Sequence, residues 1–250
     1  MKDFFTLECC VDSVESALNA ERGGATRIEL CSNLIIGGTT PTKALFETIR
    51  EQSSIRIHVL IRPRFGDFLY TEAEFEIIQR EIQLFQELGA EGVVVGCLTK
   101  DGELDFGRMK KLRSEAKDMS VTLHRAFDVC KDAKKTLRQA QDLGINTILT
   151  SGQKQSAIEG IELLKELEAE SGDVSIMAGA MITPQVIQYF LEETEISAYH
   201  MSGKQILQSQ MEYRNMEVNM GLSFFSEYEI YRTDEEAIKK AKMILEQCVK

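Results

Sequence analysis

The chain has 250 residues, 43% hydrophobic and 28% charged, with only three prolines. That is ample chain for a full core, and the composition argues against a disordered protein. With 29 basic against 40 acidic residues the formal charge is -11, which argues against nucleic acid or an anionic membrane as partner.

No apolar run approaches the roughly 18 residues of a membrane-spanning helix. The opening Met1-Lys2-Asp3-Phe4-Phe5-Thr6-Leu7-Glu8 has too short an apolar stretch for a signal peptide. The expectation is a soluble cytoplasmic protein. Its six cysteines then read as free thiols, core residues or metal ligands rather than a disulfide framework.

Taken in chain order, short apolar or β-branched runs occur at residues 4–11, 27–31, 55–61, 92–98, 121–127, 147–150, 174–178 and 198–201. Between them lie stretches with helical spacing and helix signals. Asp12 followed by Glu15 has the form of a capping box, with Val14, Ala17 and Leu18 on one face. Thr40-Pro41 and Thr183-Pro184 each place a cap before a first-turn proline. Thr71 and Glu74 form a second capping box ahead of Phe75, Ile78, Ile82 and Phe85. Gly23-Gly24, Gly89 and Gly144 stand where helices stop. Ile238, Ala241, Leu245 and Cys248 form the stripe of the last helix.

Strict alternation of strand and helix implies parallel strands. Eight such units in this length predict a closed (β/α)8 TIM barrel, one domain spanning residues 1–250. An open doubly wound sheet competes, but Val11-Asp12-Ser13 lacks the glycine-rich first turn such sheets often carry. Segment 204–233 breaks the rhythm before the last helix. A connection that long is a lid, a partner surface or locally folded.

Chemistry in such a barrel gathers where the strands end at their C-terminal side. The first two strands each carry Glu-x-Cys with both members on one face, so Glu8, Cys10, Glu29 and Cys31 gather at one edge of the mouth. Two facing thiolates suit Cu(I), whereas zinc needs about four ligands. The alternative is that Cys10 and Cys31 are small buried hydrophobes. Cys97, Cys130 and Cys248 read as structural, and Cys9 points away from Cys10. On the third and fifth strands, Arg62, His124, Arg125 and Asp128 would suit proton transfer on an anionic substrate. They would equally suit an ion-pair network closing the barrel. Gly179 and Gly203, with Lys204, lie where many barrels hold phosphate. Met201, Met211, Met216 and Met220 offer a ligand type for Cu(I) but at irregular spacing.

The run Glu8-Cys9-Cys10-Val11-Asp12-Ser13-Val14-Glu15-Ser16-Ala17 resembles the CutC copper homeostasis family, as does Gly23-Gly24-Ala25-Thr26-Arg27-Ile28-Glu29-Leu30-Cys31-Ser32. So do Gly37-Gly38-Thr39-Thr40-Pro41, Ile61-Arg62-Pro63-Arg64, Gly66-Asp67-Phe68, Thr122-Leu123-His124-Arg125-Ala126-Phe127-Asp128, Leu149-Thr150-Ser151-Gly152 and Met211-Glu212-Tyr213-Arg214-Asn215. The resemblance implies an oligomeric TIM barrel, a homodimer or homotetramer, with a cytoplasmic role in copper handling. It also implies Cu(I) coordination by Cys10 and Cys31. Gln153 after Gly152, and Ala180-Met181 after Gly179, depart from the more glycine-rich family pattern.

Three functional readings follow. The first is a Cu(I)-binding homeostasis protein with Cys10 and Cys31 as metal ligands and Glu8 and Glu29 setting the local charge. The second is an enzyme on a small anionic, possibly phosphorylated, metabolite. Glu8, Glu29 and His124 would then be the catalytic candidates, and Arg62, Arg125 and Asp128 would bind substrate. An interaction scaffold built on segment 204–233 is a third reading. No motif for a nucleotide cofactor is present.

Overall fold

The computed structural model describes residues 5–222 and 224–248. Eight parallel strands close into a barrel: β1 (Thr6–Val11), β2 (Arg27–Leu30), β3 (Arg56–Leu60), β4 (Gly92–Val95), β5 (Ser120–Leu123), β6 (Thr147–Thr150), β7 (Ser175–Ala178) and β8 (Ala198–Met201). Around it run α1 (Val14–Gly23), α2 (Lys43–Gln52), α3 (Glu72–Glu87), α4 (Phe106–Glu115), α5 (Ala133–Asp142), α6 (Ile161–Glu170), α7 (Pro184–Glu193) and α8 (Glu235–Cys248). Each of the eight expected strands is present, shorter at some ends. Residue 4, where the first was expected to begin, lies outside the described residues.

Alternation along each strand sorts the core into two layers. Outward residues such as Ile28, Val59, Val93 and Val121 pack with Phe46, Ile78, Phe85, Phe190 and Ile238 from the helices in one continuous cluster. Each such large side chain contributes about 1.5–3 kcal/mol by leaving water. The inside of the barrel is different. There the apolar residues form two small islands, Cys31–Leu60–Val94 and Leu149–Met177–Ala198. Polar side chains occupy the space between.

Caps explain where the helices begin. Thr71 Oγ1 accepts from Glu74 N while Glu74 Oε2 accepts from Thr71 N, the expected capping box of α3. Thr183 caps α7 with Pro184 in its first turn. Two expectations are corrected. Ser13, not Asp12, caps α1, its Oγ accepting from Ser16 N at 3.3 Å. Thr42, not Thr40, caps α2; Thr40 Oγ1 instead accepts from Arg62 N at 2.9 Å. Gly24, at φ 89°, ends α1 in the left-handed conformation expected of a terminal glycine.

The fifth strand was expected to reach residue 127 and stops at Leu123. His124 Nδ1 accepts from Ala126 N at 3.1 Å and so caps a short 3-10 helix, Arg125–Val129. A side chain competing for the backbone N–H in this way ends the extended run.

Segment 204–233 is partly folded. Lys204–Gln208 (β9) and Glu229–Thr233 (β10) pair antiparallel as a two-stranded arm beside the barrel. On the last helix Ile238, Ala241 and Leu245 are buried; the side chain of Cys248 lies outside the described residues.

Candidate functional site

Barrel closure sets β1 between β2 and β8. Glu8 lies opposite His200 of β8, and Cys10 opposite Glu29 of β2. All four side chains share the inner face, as do Arg27 and Cys31. Fully buried Glu8 accepts from Arg27 Nε at 2.5 Å through one oxygen and from His200 Nδ1 at 2.7 Å through the other. With Nδ1 tied to a carboxylate, the His200 Nε2 face turns toward Glu29 Oε2, 3.7 Å away, and toward the Cys10 sulfur. The ligand atoms of Cys10, Glu29 and His200 all lie within 4.8 Å of one another. Cys31 joins from the side: its Sγ donates to Glu29 Oε2 at 3.4 Å.

Charge in this cluster is strongly coupled. Burial opposes ionisation of Glu8, but Arg27 and His200 outweigh it and hold the carboxyl well below the usual carboxylate range. Burial also works against a charged His200, yet Cys10, Glu29 and Glu8 together push its pKa well above the ordinary histidine value. Burial, with Glu8 nearby, pushes the Glu29 carboxyl up against the opposing pull of His200. The Cys31 thiol is pushed far up by burial and then by Glu29 and Cys10. It therefore stays protonated as a donor.

Across the mouth stands a second group. Arg62 Nη1 donates to the carbonyls of Gly37 and Gly38, each at 3.1 Å, and Nη2 to that of Gly66 at 2.8 Å. Its guanidinium lies over the Phe68 ring, 5.1 Å from the centroid. Phe68 in turn packs on His124, with ring centroids 4.7 Å apart. Burial, reinforced by the charge of Arg62, lowers the His124 pKa to about 3, so this ring is neutral. Gly96 makes room for it: a Cβ there would sit 2.6 Å from His124 Cε1. Arg125 and Asp128 pair with each other at 2.6 Å. Asp128 also accepts from Thr150 Oγ1 and Ser151 N, fastening the 3-10 helix to the end of β6.

These two groups face one cavity of about 560 Å³, lined among others by Cys10, Glu29, Arg62, His124, Arg125 and His200. A smaller cavity of about 260 Å³ runs from Cys10 toward the arm, past Asp12 and Tyr231. Cys10 borders both. It is half-buried, whereas Cys9, Cys31, Cys97 and Cys130 are buried. Cys9 does point to the other face, with Sγ 3.6 Å from the Ser202 carbonyl. Lys204 lies on the arm over Tyr231. Met211, Met216 and Met220 are exposed on that arm, remote in character from a coordination site, while Met201 is buried.

The structure thus brings Glu8, Cys10, Glu29 and Cys31 to one edge. It places Arg62, His124, Arg125 and Asp128 around the rest of the same mouth. Sequence reasoning missed His200. The run Ala198–Met201 is legible as a strand, but only closure onto β1 reveals that its histidine faces Glu8. A parallel eight-stranded barrel must close first strand on last, so that neighbour was available as a signal.

Fold and site together define a TIM-barrel protein with a thiol, an imidazole and a carboxylate converging at the C-terminal mouth. Comparison with known proteins then places it: residues 5–205 match the model of the CutC family. A CutC family protein of Parabacteroides distasonis is 47% identical over 236 residues, covering 93% of this chain and 97% of the relative. A human protein named copper homeostasis protein cutC homolog is 44% identical over 232 residues, covering 92% of this chain and 85% of the relative. The crystal structure of a CutC from Streptococcus agalactiae superposes with a TM-score of 0.75 at 30% identity, covering 79% of this chain and 98% of that one. Thiamine phosphate pyrophosphorylase from Pyrococcus furiosus, 14% identical with a TM-score of 0.59, shares the fold alone. The chain belongs to the CutC family of copper homeostasis proteins.

Proposed function

We propose that this protein handles copper by holding Cu(I) at the barrel mouth, with Cys10 as the principal ligand, His200 as the second and Cys31 as a third. The observation that carries the reading is the convergence of Cys10, Glu29 and His200, whose ligand atoms fall within 4.8 Å of one another. The donor set fits the ion. Cu(I) prefers thiolate and accepts imidazole, and it tolerates low coordination numbers. Glu8 supplies the outer contact typical of a ligating histidine, a carboxylate on the far ring nitrogen. Glu29 now takes the Cys31 proton bond; loss of that proton, and of the His200 Nε2 proton, to solvent would free the second sulfur and the imidazole for the metal. Cys10, bordering both cavities, gives the ion a route in.

The reading places the protein in the cytoplasm, where thiols stay reduced; the five described cysteines are all free. Among the described residues no helix is long and apolar enough to cross a membrane. The reading includes a homodimer or homotetramer. Exposed Met211, Tyr213, Met216, Met220 and Phe224 on the arm support a second copy as its cover.

The test is anaerobic Cu(I) competition against a chromophoric chelator, with wild type, Cys10→Ser, His200→Gln and Cys31→Ser. Stoichiometric binding lost in Cys10→Ser and weakened in the other two is expected. Binding that survives Cys10→Ser overturns the assignment. Light scattering on the same samples reads the oligomeric state, and a monomer would sink that part of the reading.

A further inference from the structure

The mouth cavity, at about 560 Å³, is far larger than one ion requires. Its wall opposite Cys10 carries chemistry that the thiol and imidazole cluster leaves unused.

Arg62 is nine-tenths buried, yet no carboxylate among the described residues lies within ion-pair distance of it. Its neighbours are three carbonyls and the Phe68 ring, and its Nε–H is buried with no acceptor. A guanidinium stays charged in any protein setting, so this is a buried, uncompensated positive charge. Beside it, His124 Nδ1 accepts a backbone N–H, which leaves the ring proton on Nε2. That Nε2 is likewise buried without a partner. Both residues line the cavity, and Phe68 touches both. Two orphaned N–H donors and one unmatched positive charge thus belong to neighbouring residues of one wall. Native interiors rarely leave such groups unpaired, and among the described residues only these two of the buried unpaired polar atoms belong to side chains lining the mouth cavity.

We propose that the mouth binds a small molecule by a single carboxylate, held between the Arg62 guanidinium and the His124 Nε2–H. Leu60, Leu149 and Ile182, with Ile36 at the rim, give its body an apolar wall. One carboxylate matches the one free positive charge. A phosphate would bring more charge and more oxygens toward Glu29 and Asp128, which border the same space. Arg125 does not serve as the anchor, because Asp128 already neutralises it. The site uses neither thiol and stands apart from the copper reading.

The probe is benzoate, titrated into copper-free protein by calorimetry and followed in parallel by the imidazole N–H signals in 1H–15N spectra. Benzoate should bind the wild type and shift the His124 Nε2–H resonance. Arg62→Met should weaken binding by about tenfold or more, the scale of a lost charge-assisted pair. Since Arg62 also ties down the loops at Gly37 and Gly66, a second variant is needed. His124→Phe keeps an aromatic ring against Phe68 and removes the Nε2–H donor, together with the Nδ1 acceptor that caps the 3-10 helix, and should weaken binding several-fold. Lys111→Ala, an exposed cation on α4, should change nothing. Benzyl alcohol, the neutral counterpart, should bind at least tenfold more weakly than benzoate, and phenyl phosphate more weakly as well. The proposal is overturned if benzoate fails to bind at millimolar concentration. It is equally overturned if His124→Phe binds benzoate like wild type, if benzyl alcohol matches benzoate, or if phenyl phosphate exceeds it.

Discussion

His200 donates Nδ1–H to Glu8 across the seam where β8 closes on β1, at 2.7 Å, and the remaining ring nitrogen faces Cys10 and Glu29. Glu8 also holds Arg27. One fully buried carboxylate therefore anchors two cations and orients the imidazole of the cluster.

Glu8→Gln keeps the shape and removes that charge. It leaves Arg27 and His200 without the carboxylate they share, a loss of about 3–5 kcal/mol for a broken buried pair. Urea denaturation should show a lowered midpoint with an unchanged slope. On the copper reading, the same variant should weaken Cu(I) about 10–100-fold in the chelator competition, as loss of an outer carboxylate does in metal sites. An unchanged affinity would separate Glu8 from the metal.

Thiol labelling should be selective. Cys10 is half-buried and borders two cavities, while Cys9 and Cys31 are buried with their thiols pushed well above the usual value. Brief alkylation of the native protein followed by peptide mapping should mark Cys10 and spare Cys9, although the two are adjacent in sequence. Equal labelling of both would contradict the inward and outward alternation of β1.

Acid should destabilise the fold through two histidines. Burial lowers both His58 and His124 to about 3, with Arg27 and Arg62 respectively adding to it. In the unfolded chain each regains a value near 6.5. Below pH 6.5 the unfolded state binds the extra protons, so stability falls as pH falls and the loss levels off near pH 3. The slope is about 1.4 kcal/mol per pH unit for each histidine. His200 acts in the opposite sense. Its raised pKa lends stability that is complete below 6.5 and lost as pH rises through its folded value. Urea midpoints measured from pH 7 downward should fall less steeply in His124→Gln than in wild type.

Two glycines should respond oppositely to alanine. At Gly160 a Cβ would lie 1.9 Å from the Ser151 carbonyl oxygen and 2.8 Å from Gly152 Cα, both backbone atoms that cannot swing aside. Gly160→Ala should lower the melting temperature by several degrees, a cost of about 1–3 kcal/mol or more. Gly107 lies exposed in α4, and its nearest neighbour to a Cβ is 3.7 Å away. Gly107→Ala should stabilise by about 0.5–1 kcal/mol.

Much of the barrel is legible in the chain because its strands announce themselves locally. Runs such as Gly92–Val95 and Thr147–Thr150 are short, apolar or β-branched, and followed by helical spacing. The pairing of Glu8 with Cys10 on one face follows from alternation alone. Other features depend on competition that a string of letters does not rank. Asp12 and Ser13 are both good caps, and the backbone chooses Ser13. Thr40 has the form of a cap but is drawn to Arg62 N. His124 reads as strand until its own ring captures the Ala126 N–H. The orphaned state of Arg62 lies further still from the sequence, since it depends on which carboxylates fail to arrive.

The seam at Glu8 and His200 joins residues 192 positions apart. A chain still emerging from the ribosome carries Glu8, Cys10, Glu29 and Cys31 early, yet the cluster lacks its imidazole until the eighth strand docks. A truncated or stalled product therefore presents thiols without the finished pocket. The complete cluster then reports that synthesis has passed the eighth strand.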